Sequence, residues 1–317
     1  MKTRKVKIGK VMSKRITASV LAGVLGKEKV VVKIEHVSKK DRDDKTSAGW
    51  KEIQFSEKFG NKHPKHFMQL KNYYFEAGCP GIQLDGLIQN PPSSWGKQLV
   101  AEYRALLAED VCVYKTYDRM DCILFDILPK MSIPQVYSCL LQVSYAIKMM
   151  HKNGYIHGDL HAGNVGAMKT AKNARISLGP VSIPTHGYHF KLIDFGLTLH
   201  KSSAKTKEDK DRFEDEFGQR DDGLFPSLCD EYDGPAGYDK VMSVLKKLDE
   251  FKVVQLITSN PTMQSSLFKT MYPDTYLRLF KETQIQKAKL PLEDLIFLAH
   301  NGMHSDESFH YLLEKLK

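Results

Sequence analysis

Apolar and polar positions alternate through KVKIGKV and again through ITASVLAGV, and a β-branched run, KVVVKIEH, follows. A period of two puts successive side chains on opposite faces of a strand, so the first 36 residues predict three strands. The short polar stretches MSKR and LGKE between them predict tight connections and an antiparallel meander. Residues 37–49 are polar and read as a loop. From Trp50 the spacing becomes helical in WKEIQFSEKF, and it stops before Gly60-Asn61 and the His63-Pro64 pair. HFMQLKNYYF (66–75) predicts a fourth strand, and the Gly-, Pro- and Ser-rich residues 76–94 a loop. A helix follows over 95–109, with Leu99, Tyr103, Leu106 and Leu107 as its apolar positions. VCVYKTY and DCILFDIL then predict a hairpin around Asp118-Arg119.

A long helix starts near Ser132, where Ser132 and Gln135 have the spacing of a capping box. Ile133, Val136, Tyr137, Leu140, Leu141 and Ile147 form its buried stripe, and Asn153-Gly154 ends it. Residues 165–193 read as a polar excursion containing Gly and Pro, residues 201–212 as a charged run, and the chain beyond 235 as helical. No internal repeat is visible. The order of elements predicts an α+β chain, long enough at 317 residues for roughly two lobes.

Composition narrows the class. At 42% hydrophobic and 27% charged residues the chain reads as an ordinary soluble globular protein. It has no run of about 18 apolar residues and so no expected membrane span. The N-terminus has no apolar signal-peptide core, so an intracellular, cytoplasmic location is expected, with a nuclear or virion location left open. Five cysteines, an odd number with no C-x-x-C pair, predict free thiols rather than a disulfide framework or a thiolate zinc site. The whole net charge of +9 resides in residues 1–50, which hold 14 Lys/Arg against 5 Asp/Glu. Such an excess could attract an anionic partner, but Trp50 is the only aromatic residue there, which argues against nucleic acid.

Three short stretches carry candidate chemistry: VVVKIE with Lys33, HGDLHAGN with Asp159 and Asn164 five residues apart, and LIDFG with Asp194 after an apolar strand. In this order they resemble the lysine strand, the catalytic loop and the D-F-G turn of the protein-kinase-like superfamily. The resemblance runs from about residue 5 to 200. It implies a bilobal fold, with an antiparallel β-sheet N-lobe holding one main helix and a mostly helical C-lobe. Residues 1–128 would be the nucleotide-binding lobe, with an insertion at 76–110, and residues 129–317 the catalytic and substrate lobe.

Phosphoryl transfer from ATP needs positioning and charge neutralisation more than covalent help. By the resemblance, Lys33 would hold the α- and β-phosphates, and Glu52, or Glu57 on the alternative register, would fix that lysine. Mg²⁺ takes oxygen ligands, which Asn164 and Asp194 would supply. Asp159 would orient the acceptor hydroxyl and accept its proton. Phe125 would back the adenine pocket, Asp126 to Leu128 would form the hinge backbone, and Gly9 would remain from the glycine loop. His157 would be structural.

The departures are as specific as the matches. The stretch GKVMSK keeps only Gly9 of the family's three glycines, with Lys14 or Arg15 available to add positive charge. Gly158 replaces the arginine of H-R-D, which predicts activity that does not wait on activation-loop phosphorylation. His161 stands where serine/threonine kinases usually carry lysine. No A-P-E follows Gly196; LFPS at 224–227 is a weak substitute. Asn164 and Asp194 are 30 residues apart, which implies an insertion at 165–190. The compact pattern is similar to kinases of large DNA viruses. Three functions stay open: an ATP- and Mg²⁺-dependent kinase acting on protein serine or threonine, a small-molecule kinase of the aminoglycoside or choline phosphotransferase type, and a nucleotide-binding pseudokinase scaffold.

Overall fold

A computed structural model describes residues 6–14, 18–201 (apart from 46, 81, 94 and 110), the isolated positions 246, 249, 252 and 253, and 306–316. The chain divides into two compact units: residues 1–120 with 194–197, and residues 121–193 with 198–317. It is a mixed α/β protein with a five-stranded antiparallel sheet.

In the first unit β1 (Lys7–Lys14), β2 (Ala18–Leu25), β3 (Glu28–His36), β4 (Leu70–Ala77) and β5 (Val111–Asp118) form one sheet in the order β1-β2-β3-β5-β4. The three predicted N-terminal strands are present. Alternation along β3 puts Val30, Val32 and Ile34 on one face, where they are fully buried with Leu21, Cys112 and Tyr114. The opposite face carries Lys33 and Glu35. That face receives α2 (Ala48–Lys58), which buries Glu52, Ile53, Phe55 and Ser56, with the C-cap residue Phe59 buried after it.

Several local expectations are corrected. The polar stretch 37–49 contains α1 (Lys39–Asp43), capped by the Ser38 side chain on the Asp41 N–H. The 76–94 loop contains α3 (Leu84–Gln89), and α4 (Lys97–Glu109) follows it. Gly9 lies within β1 rather than in a loop. A Cβ there would stand 3.1 Å from the Ala22 carbonyl oxygen of β2, so its role in the fold is close strand approach. Lys14 closes β1, and Arg15 lies outside the described residues. Cys79 and Cys112 are joined as a disulfide, against the expectation of free thiols. Cys122 and Cys139 are free.

The expected hairpin around Asp118-Arg119 does not form. β5 pairs with β3 and β4, whereas β6 (Cys122–Ile123) pairs with β8 (Val165–Lys169) of the second unit. The segment expected to be an extended hinge is helical: α5 (Leu124–Ile127) and a 3₁₀ turn (Leu128–Lys130). Leu124 and Leu128, four residues apart, point inward at 0% and 7% exposure, which turns Phe125 outward at 67%. Phe125 therefore does not back a pocket. Asp126 is exposed and Leu128 is buried, both in helical turns. The apolar run that looked like a strand had a helical i,i+4 pair within it.

α6 (Ile133–Lys152) of the second unit has its capping box in place and ends at Asn153 and Gly154, the latter with φ 78°. The expected stripe is buried, except that Ile133 is half exposed. The 165–193 excursion is largely strand. β8 pairs with β11 (Tyr188–Leu192), and β9 (Arg175–Leu178) and β10 (Val181–Pro184) form a hairpin. β7 (Tyr155–Ile156) pairs with β12 (Leu199–His200). No helix among the described residues is long and apolar enough to cross a membrane. The LFPS stretch and nearly all of the helical pattern beyond 235 lie outside the described residues; a helix is described over Asp306–Lys315.

Candidate active site

β3 and β5 run antiparallel with Lys33 directly opposite Lys115. Two like charges facing each other across a strand pair repel, so this register needs counter-ions. Three carboxylates supply them. Lys33 Nζ lies 2.8 Å from Glu35, 3.2 Å from Glu52 Oε2 and 2.8 Å from Asp194 Oδ1. Lys115 Nζ pairs with both Glu35 and Glu52. Lys115 and Glu52 are buried, whereas Lys33 and Asp194 keep 15% and 25% of their side chains exposed. The cluster is therefore graded. Lys115 and Glu52 form its sealed base, and Lys33 and Asp194 face outward.

Glu57, the alternative partner for Lys33, is exposed and takes no part. Glu52 sits one turn later in α2 than expected, because the helix begins at Ala48. Phe195, next to Asp194, is fully buried and packs 4.2 Å from the Phe55 ring of α2. Asp194 has a left-handed backbone, φ 59°, uncommon for a residue other than glycine. Its Oδ1 also accepts from the Gly196 N–H at 3.5 Å.

The charges fix the protonation states. Burial opposes the charged form of Asp194, but the Lys33 charge and hydrogen bond, with Lys115 behind, hold its carboxyl well below the ordinary carboxylate range. Burial likewise works against charge on Lys33, and Glu35, Glu52 and Asp194 outweigh it, raising the lysine well above 10.5. Burial and the same carboxylates push the Tyr117 hydroxyl well above 10, so it stays neutral.

Glu35 gives a measurable consequence. Burial would raise its pKa, but Lys115 and Lys33 bring it from the ordinary 4.5 to about 2. A carboxyl depressed in the folded state stabilises the fold above its unfolded pKa and loses that contribution as pH falls. The thermal midpoint should therefore fall as pH is lowered from about 4.5 toward 2, and Glu35→Gln should flatten that part of the profile. Superimposable profiles for wild type and variant would refute the coupling.

The second unit holds the loop between β7 and β8. Asn164 is buried, and its amide nitrogen donates to the Asp159 carbonyl at 2.8 Å and to Asp159 Oδ2 at 3.1 Å. These bonds fix the two side chains relative to each other. They leave the Asn164 carbonyl oxygen as the atom suited to a cation. The Asn164 carbonyl on the main chain accepts from the Ile193 N–H at 3.0 Å. His157 is buried, and its Nδ1 accepts from the Asp159 N–H at 3.3 Å. His161 is 44% exposed, with Nε2 3.7 Å from Asp159 Oδ2 and Nδ1 accepting from the Gly163 N–H.

Asp249 supports this loop from beneath and was not anticipated. Its carboxylate accepts from the His157 N–H at 2.7 Å and the Gly158 N–H at 3.1 Å, and pairs with His151 at 3.1 Å. Burial disfavours its charge, but the His151 hydrogen bond and charge, the nearby His157 and the backbone donor prevail and lower its pKa. Gly158 has φ 78°, a conformation costly for arginine, and this explains a glycine before Asp159. No local motif marks Asp249, which lies about 90 residues from the loop. Lys115 was missed because its role follows from the register that sets it opposite Lys33, which VCVYKTY by itself does not encode.

The two units thus supply two preorganised groups. One is an anionic Asp194 beside a charged Lys33, and the other is a paired Asp159 and Asn164 on a braced loop. Gly9 contributes backbone to β1, while Asp126 and Leu128 sit in helical turns rather than in an extended segment. No protein-family model matches the chain, and no curated protein matches it.

Proposed function

We propose that this chain is an ATP- and Mg²⁺-dependent phosphotransferase that passes the γ-phosphate to a hydroxyl acceptor, protein serine or threonine being the acceptor. The observation that carries the proposal is Lys33 Nζ shared between Glu52 and Asp194, residues 19 and 161 positions away. A surface lysine needs no such arrangement. A lysine that must meet phosphate oxygens does, because its flexible stem otherwise carries about 2 kcal/mol of rotamer entropy. The five-stranded antiparallel sheet, with a helix delivering Glu52 to Lys33, is of the kind the resemblance implies for an N-lobe and adds support.

Asp194 and Asn164 fit Mg²⁺ by donor chemistry, offering an obligate carboxylate and an amide oxygen. Held there, Mg²⁺ would neutralise charge on the phosphates. Lys33 holds the non-transferred phosphates, and Asp159, oriented by Asn164, takes the proton of the acceptor hydroxyl.

The acceptor is tested with radiolabelled ATP, given to the purified chain alone, with generic protein acceptors, and with a panel of aminoglycosides and amino alcohols. Label on serine or threonine of protein is the expected result. Label only on a small molecule would replace the protein acceptor with a small-molecule one. Nucleotide binding without transfer to any acceptor would leave a pseudokinase scaffold and overturn the proposal.

A further inference from the structure

The face of the sheet opposite the lysine cluster carries a second group of reactive side chains. β3 and β5 place His36 directly opposite Cys112, and β4 leads through Gly78 to Cys79. The ligand atoms of His36, Cys79 and Cys112 all lie within 4.8 Å of one another. Cys79 Sγ is 3.3 Å from His36 Nδ1, and the two sulfurs are joined. Cys79 and His36 are half-buried, whereas Cys112 is fully buried.

Non-covalent contacts brace the segment on both sides of Cys79. Tyr114 Oη donates to the Gly78 carbonyl, and Ser19 Oγ donates to the Pro80 carbonyl at 2.8 Å. Cys112 is held by strand pairing to both β3 and β4. None of these bonds requires the sulfurs to be joined, so the two thiols remain neighbours when reduced. The other two thiols among the described residues, Cys122 and Cys139, lack this setting. Burial pushes both the Cys139 and the Cys122 thiol up, which disfavours the reactive thiolate.

We propose that Cys79 and Cys112 form a reversible thiol–disulfide site that exchanges with low-molecular-weight disulfides, with His36 positioning and stabilising the Cys79 thiolate. In the oxidising direction the Cys79 thiolate attacks one sulfur of glutathione disulfide, forming a mixed disulfide and releasing a glutathione thiolate. The Cys112 thiolate then attacks the Cys79 sulfur, forming the protein disulfide and releasing the second glutathione thiolate. The cysteine pair loses two electrons, glutathione disulfide gains two, and the two thiol protons pass to the departing glutathiones. The half-buried Cys79 is the sulfur that an external reagent reaches, and the buried Cys112 resolves the intermediate.

The disulfide joins residues 33 positions apart, and the segment between them carries α3 and α4. Its state therefore determines whether this segment is tied to β5 covalently or only through the contacts around Gly78 and Pro80. The exchange chemistry is independent of phosphate transfer, and the test below does not measure phosphate transfer.

The full chain is equilibrated without denaturant in buffers spanning reduced and oxidised glutathione, then acid-quenched, alkylated and mapped by peptide mass spectrometry. Cys79 and Cys112 are expected to convert together with one midpoint, while Cys122 and Cys139 stay reduced throughout. His36→Asn is expected to slow formation of the disulfide about tenfold and to shift the midpoint toward the disulfide about threefold or more in glutathione ratio. In Cys112→Ser, Cys79 is expected to form its mixed disulfide about tenfold faster in the folded protein than in urea, which keeps the test valid if His36→Asn does not fold. Three results would overturn the inference: a pair inert across the whole buffer range, a pair that never oxidises, or a Cys79 no faster folded than unfolded.

Discussion

Asp194→Ala is expected to lower phosphate transfer by about 10³-fold or more, the scale of losing one preorganised electrostatic group, while the protein stays folded. The carboxylate is anionic throughout the physiological range because Lys33 lies 2.8 Å away and Lys115 stands behind it. It is also held in a left-handed backbone that fixes its direction. No other carboxylate of the cluster can replace it: Glu52 is buried, and both Glu35 and Glu52 are engaged by Lys115. Stability should change by only about 1 kcal/mol, since Asp194 is partly exposed and Lys33 keeps Glu35 and Glu52 as partners. Steady-state transfer, measured beside a thermal melt, separates the two effects. A variant that melts normally and transfers phosphate at the wild-type rate would remove Asp194 from the chemistry.

Glu52→Ala is expected to do the reverse in proportion, with the largest loss of stability of any single change in the cluster. Lys115 is almost fully buried and Glu52 fully so, and their charges offset each other in a medium that solvates neither. Removing one partner of a buried pair typically costs about 3–5 kcal/mol, and the lower end is expected here because Lys115 keeps Glu35 as a partner. For a chain of this size that corresponds to a fall in Tm of roughly 10 °C. Replacing both partners together, Glu52→Met with Lys115→Met, should recover part of the loss, since paired removal leaves no stranded charge at that position. A Tm for Glu52→Ala within about 2 °C of wild type would show that the base of the cluster is not a closed ion pair.

How much of this was legible in the sequence depends on how locally each feature is encoded. The meander, α2 and α6 follow from period and capping residues, and all are present. Lys33, Glu52, Asp159, Asn164 and Asp194 stood out because each sits in a short stretch of fixed spacing. Lys115 and Glu35 did not. Their importance depends on the register that sets Lys115 opposite Lys33, and register is a property of two strands. Glu35 could have been found, since it lies two positions from Lys33 on the same face of β3. Asp249 and the Cys79–Cys112 pair are contacts across about 90 and 33 residues that no spacing rule reaches. The Phe125 error has a different origin. A short apolar run fits a buried strand and a helix face equally well, and here the Leu124–Leu128 pair selected the helix.

The central claim is that Lys33 and Asp194 form one half of a phosphate-transfer centre. It is tested most directly by Mg²⁺-dependent transfer of label from ATP by the wild-type chain and by Asp194→Asn, with both proteins shown to be folded. The account predicts transfer by wild type that disappears on chelation of Mg²⁺ and falls by about 10³-fold in the variant. Equal transfer by the two proteins, or none by folded wild type with any acceptor, would contradict it.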